Sequence, residues 1–176
     1  MDFSGLIPLK YLLLFIVLVL VQVLVCNNVL LFGVAVPFIF IYFIIALPLD
    51  TNIIILMLLS FLLGFFIDLF SDTLGLNSMT CLILSVVKKP VFYAYMPKED
   101  KFITAVPSIS VMGWVGYFKF ILTLSAIYCF FLFGIELLSF ASFGRIILMA
   151  FSSTILTLLL LIALDALFNK DYKSAW

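Results

Sequence analysis

The sequence predicts an all-α, polytopic membrane protein of one domain, 1–176, that crosses the bilayer six times. Three observations predict this. The chain is 67% hydrophobic and 10% charged, with a mean hydropathy of +1.42, so a soluble fold would have nothing left to face water. Apolar runs of roughly spanning length recur at 9–26, 29–47, 52–70, 74–88, 114–138 and 146–168, parted mostly by short polar turns. Six spans also sort the basic residues. Lys10, Lys88, Lys89, Lys98, Lys101, Lys119, Lys170 and Lys173 fall with the termini, and Arg145 alone falls opposite. By the positive-inside rule both termini are cytoplasmic, and dropping one span would scatter the lysines over both sides.

Composition also removes function classes. Net charge is zero, so no basic surface awaits nucleic acid. The chain has no histidine, which removes the usual general base and the commonest metal ligand together. Cys26, Cys81 and Cys129 lie apart inside apolar runs, form no CxxC, and read as small packing residues.

The first span, 9–26, has Lys10 at its membrane edge and lacks a signal-peptidase site, so it reads as an uncleaved helix. Its one polar interior residue, Gln22, is expected to face another helix. Asn27 and Asn28 make a turn. Pro37 is expected to kink the second span or to mark its start. The third span leads from a Pro48–Thr51 connection. The fourth is short, so Lys88 is expected to snorkel, with Lys88, Lys89 and Pro90 closing the helix. Residues 91–112 form the long connection, with mixed charge and aromatics suited to headgroups. Trp114 and Tyr117 anchor the fifth span at the interface. Glu136 and Arg145 are expected to pair across the next turn. In the sixth span Ser153, Thr157 and Asp165 share a face.

The chain is organised around 64–77. Ser60, Gly64, Asp68 and Asp72 recur every four residues, a drifting helical stripe with an acidic end. Small residues at that spacing let a second backbone approach closely in lipid. A carboxylate at mid-membrane costs about 2.5–3.5 kcal/mol on insertion scales, so Asp68 needs partners or a task. Gly75 is available for a positive φ, and Asn77 or Ser78 can cap the next helix. Capping and pairing is the preferred reading of Asp68 and Asp72 over a proton-sharing dyad or a metal site, for which no third ligand is near.

These residues resemble a known family. Gly64, three residues, Asp68, then Leu74-Gly75-Leu76-Asn77, in a six-span chain of this length, is similar to the bacterial rod shape-determining MreD proteins. Gln22, Cys26 and the Asn27–Asn28 pair resemble the first turn of one branch of that family. Asn77 stands where histidine is common there, and Asp72 where small residues are common. The resemblance implies a non-enzymatic inner-membrane subunit of the cell-elongation machinery, with no cofactor. Ser60, Gly64, Asp68, Asp72, Gly75 and Asn77 would then be a structural or partner-binding motif. The implied partners are a bitopic MreC-like protein and, through it, MreB, RodA and a class B penicillin-binding transpeptidase, besides membrane lipid. The family is similar in fold to the S components of energy-coupling-factor transporters, so a vitamin-binding S component is the alternative. Against it, the first span has no alanine or glycine for a transport partner, and the outer loops carry few polar groups to orient a solute.

Overall fold

The computed structural model describes residues 6–26, 36–73, 75–96, 106–136 and 143–168. Among them the only regular structure is helix, with no strand: α1 (Leu6–Leu24), α2 (Ile41–Ala46), α3 (Ile53–Ser71), α4 (Leu76–Tyr95), α5 (Ile109–Glu136) and α6 (Phe143–Phe168). Among the described residues three segments are long and apolar enough to cross a membrane: Ile53–Ser71, Ile109–Ile135 and Ile147–Asp165. Leu9–Leu24 in α1 is apolar but shorter. The outer surface carries large apolar side chains such as Phe70, Trp114, Phe130 and Phe151, each about two-thirds exposed or more. Water would not tolerate such a surface, whereas lipid tails do.

α3 and α4 are the most intimate pair, followed by α5 with α6 and α4 with α5, while α1 lies against α3. The core between them holds Leu18, Phe43, Leu56, Leu63, Leu84, Phe120, Leu124 and Tyr128. In lipid, apolar burial between helices carries little driving force, so close packing and interhelical hydrogen bonds hold such a bundle.

Two of the expected spans are corrected. The run 29–47 is not one helix: residues 36–40 are non-helical and only Ile41–Ala46 forms α2, while 27–35 lie outside the described residues. Pro37 has no N–H to donate to a helix and disfavours helical geometry before it. Neighbouring side chains supply the hydrogen bonds that a helix would have supplied. Pro48 ends α2 in the same way, leaving Leu47 extended at φ −69°, ψ 141°. From Phe40 to Ile45 every residue is buried, which explains why this stretch is apolar on all sides.

The fourth span does not close at Lys88, Lys89 and Pro90. α4 continues through Pro90 to Tyr95, about 30 Å at 1.5 Å per residue, so it is not short. Pro90 is exposed inside the helix, five residues before its end, and lacks the N–H that would bond the Val86 carbonyl. Lys88 does not snorkel: it is fully buried, and its Nζ donates to the Leu47 carbonyl at the end of α2. There it compensates the negative end of that short helix. Lys89 Nζ donates to the Thr51 carbonyl at 3.0 Å, so consecutive lysines staple the α2–α3 connection to α4.

The other boundaries shift slightly. Asn52 caps α3, its Oδ1 accepting from the Ile54 N–H at 3.0 Å. α5 begins at Ile109, and Gly113 breaks it with φ 69° and ψ 168°, a conformation only glycine adopts freely. Trp114, the expected start, follows that break and is exposed, whereas Tyr117 is buried rather than set at the surface. The long connection 91–112 is therefore helical at both ends, and 97–105 lie outside the described residues. The expected Glu136–Arg145 pair falls outside the described side chains.

Candidate functional site

The site begins with a contact that only glycine allows. A Cβ on Gly64 would lie 2.5 Å from Ser78 Cα and 2.7 Å from the Asn77 carbonyl carbon. The first turn of α4 therefore rests directly on the α3 backbone. Ser60, one turn earlier on the same stripe, is fully buried.

The chain makes the return from α3 to α4 within a few residues. Asp72 is the C-cap of α3, in the left-handed conformation at φ 51°, and its N–H donates to the Asp68 carbonyl. Gly75 follows at φ 78° and is the N-cap of α4, but glycine has no side chain with which to cap. The Asp68 carboxylate, from the preceding helix, does that work. Oδ2 accepts from the Ser78 N–H at 2.8 Å and the Ser78 hydroxyl at 2.5 Å. Oδ1 accepts from the Asn77 N–H at 3.1 Å, Asn77 Nδ2 at 2.9 Å and the Thr73 hydroxyl at 2.5 Å. Asn77 and Ser78 are the second and third residues of α4, the positions whose N–H groups an ordinary N-cap side chain would satisfy. The negative carboxylate also faces the positive end of α4.

The knot extends into α5. Tyr128 donates its hydroxyl proton to Asn77 Oδ1 at 2.5 Å. Its buried ring touches Phe38 and Phe40 at centroid distances of 5.0 and 5.6 Å. Asp68 itself is 5% exposed, whereas Asp72 is exposed. The carboxylates four residues apart are thus split between a saturated interior position and a solvent-facing turn.

A second polar cluster holds the non-helical segment. Gln22 Nε2 donates to the Pro37 carbonyl at 2.9 Å, while Gln22 Oε1 accepts from the Ile39 N–H at 3.0 Å. From α6, Ser153 Oγ accepts the Val36 N–H and Thr157 Oγ1 accepts the Phe38 N–H, both at 3.1 Å. Four orphan backbone groups are thereby satisfied, which a non-helical segment inside a membrane protein requires. Asp165, on the same face of α6, is buried beside Tyr117 and Tyr42.

Of the six motif residues read from sequence, Gly64, Asp68, Gly75 and Asn77 meet in the knot, Ser60 lies in the helix contact and Asp72 faces outward. Sequence reasoning missed Thr73 and Tyr128. Tyr128 carried one usable signal: a hydroxyl in the middle of a phenylalanine-rich helix needs a partner. It placed Ser153 and Thr157 on one face but not against Val36 and Phe38.

Chemically the site is a brace. Five donors converge on one carboxylate, which fills its acceptor capacity. Among the described residues no group of three or more Cys, Asp or Glu side chains could hold a metal ion. The fold and site together define, among the described residues, a helical protein without strands, with three helices long and apolar enough to span a membrane and a braced α3–α4 hairpin. Searches against protein-family models, curated proteins and solved structures find no match to this chain.

Proposed function

We propose that the chain is a non-enzymatic, multi-pass subunit of a bacterial inner membrane that serves cell elongation in the manner of MreD. In this role it binds an MreC-like bitopic partner. Through that partner it acts with MreB, RodA and a class B penicillin-binding transpeptidase in lateral peptidoglycan synthesis. The observation that supports this reading is the fate of the residues behind the MreD resemblance. Gly64, Asp68, Gly75 and Asn77 converge on one turn, and the carboxylate among them is consumed by five hydrogen bonds. A group so occupied braces a scaffold and has no lone pair to offer a substrate.

The six-crossing topology belongs to the same proposal. The segment 36–47 leads from Gln22, near the end of α1, to Lys88, well into α4. It serves as an internal second crossing that needs no lipid-facing helix, and both termini stay with the lysines in the cytoplasm. Single cysteines at positions 98 and 173 are expected to be shielded from an impermeant thiol reagent in intact cells, and one near position 28 to label. Labelling at 98 from outside would overturn the topology.

Depletion tests the function. Elongated cells should become round and wide, and gentle purification should recover an MreC-like protein. Normal shape, with growth rescued by one added nutrient and a transporter ATPase co-purifying, would instead identify a solute-binding subunit.

A further inference from the structure

Beyond the Gly64 contact, a shallow apolar groove of about 280 Å³, open to the outside, runs along α4 beside α3, lined by Met57 of α3 and by Leu82, Ile83, Val86 and Val87 of α4. All five lining residues are apolar, so nothing there could orient a polar solute, and the volume falls just below that of small-molecule sites. Part of a flexible hydrocarbon chain can lie in such an open groove and needs no polar group to orient it.

The groove ends beside a charge. Lys89 follows Val86 by three residues, about 4.5 Å along α4. Its Nζ sits on the Thr51 carbonyl, just before the first turn of α3. α3 is 19 residues long, close to one bilayer thickness, so Thr51 and Lys89 mark the membrane edge. Lys89 is half-buried, and an ammonium has three donors, of which Thr51 takes one. The neighbouring Lys88 is buried and committed to Leu47. Asp50, exposed in the same connection, opposes the field of Lys89.

We propose that this face holds one anionic phospholipid, with an acyl chain in the Met57–Val87 groove and the phosphate on Lys89. Apolar length ending in a cation with spare donors, at the level where headgroups lie, is complementary to such a lipid. The proposal requires only that α3 and α4 sit in a bilayer, so it stands or falls separately from the role in elongation.

The test uses the full-length protein in mild detergent, offered equal amounts of phosphatidylglycerol and phosphatidylcholine with identical chains. Native mass spectrometry reads the lipid retained. Phosphatidylglycerol is expected to be retained over phosphatidylcholine about fivefold, the contribution of one lysine at an anionic surface. Lys89→Gln should bring the ratio near one and Lys89→Arg should preserve it. Ile83→Trp, which fills the groove, should lower retention of both lipids. Thermal unfolding checks that each variant is folded. Should Lys89→Gln not fold, Asp50→Asn asks the same question and is expected to raise the ratio. Equal retention of both lipids by the parent protein would overturn the proposal. So would a ratio untouched by the Lys89 or Asp50 substitution, retention indifferent to Ile83→Trp, or displacement by inorganic phosphate alone.

Discussion

The α3–α4 turn and the segment 36–40 face the same problem and solve it differently. Each exposes backbone donors where little water is available. At the turn, one carboxylate gathers donors that lie only 5 to 10 residues away in sequence. At the segment, three neutral side chains come from two helices, and the two on α6 are 117 and 119 residues distant from their partners. A charged local acceptor makes a rigid hairpin by itself. Neutral distant acceptors make a structure that exists only once the bundle is assembled.

The largest effect is expected at the close contact. Gly64→Ala puts a methyl group into the α4 backbone, which can yield only by moving the helix, so a loss of about 3 kcal/mol or more is expected. Failure to accumulate in membranes, with low unfolding temperature of any purified material, is the measurement. A variant of parental stability would show that the hairpin is loose and the comparison wrong.

Asp68→Leu comes next, because it strands five donors at once. Each buried unsatisfied group costs about 1–3 kcal/mol, although the two hydroxyls can rotate toward other acceptors. Asp68→Asn should fall between Leu and the parent. Its oxygen can keep the Oδ1 contacts, while its amide opposes the Ser78 N–H. Asn as damaging as Leu at equal membrane levels would return a chemical role to the carboxylate.

Gln22→Leu keeps the side-chain volume but strands the Pro37 carbonyl and the Ile39 N–H. A loss of about 2–3 kcal/mol is expected. Because α1, α6 and the segment form one assembly, Gln22→Leu and Thr157→Val should be non-additive in a double-mutant cycle on thermal stability. Strict additivity would break the picture of a shared clamp.

The smallest effect is expected one turn from Asp68. Asp72 holds φ 51° in an exposed C-cap, where glycine carries no Cβ penalty. Asp72→Gly should raise stability by up to about 1 kcal/mol. A large loss would mean that this exposed carboxylate has a partner of its own.

The contrast also explains what could be read in advance. Gly64, Asp68, Gly75 and Asn77 lie within 14 residues, so spacing marked them as one packing face and turn, but Asn77 and Ser78, expected to cap α4 themselves, instead donate to Asp68, which does the capping from α3. Gln22 was recognisable as facing another helix, and Ser153 and Thr157 as sharing a face, but no local rule pairs position 157 with the backbone of Phe38. The kinked-helix reading of the second span failed for that reason, since an apolar run with one proline looks like a kinked helix unless its external acceptors are known, whereas the alternative of a helix starting only at the proline lies close to α2. Lys88 was misjudged for a related one. Snorkelling is the common fate of a lysine near a membrane edge, and a carbonyl 41 residues upstream replaced it.

The Gly64 contact has a consequence for how the protein is made. α4 is not among the helices apolar enough to cross a membrane unaided, for it carries Asn77, Ser78, Thr80, Ser85 and two lysines. Its first N–H groups find their acceptor on the helix synthesised just before it. On the six-crossing reading, α4 leaves the translocation channel already leaning on α3, and the two partition into lipid as one hairpin. The unit of membrane insertion in this part of the chain is then the pair, and Asp68 is carried into the bilayer with its donors already in place.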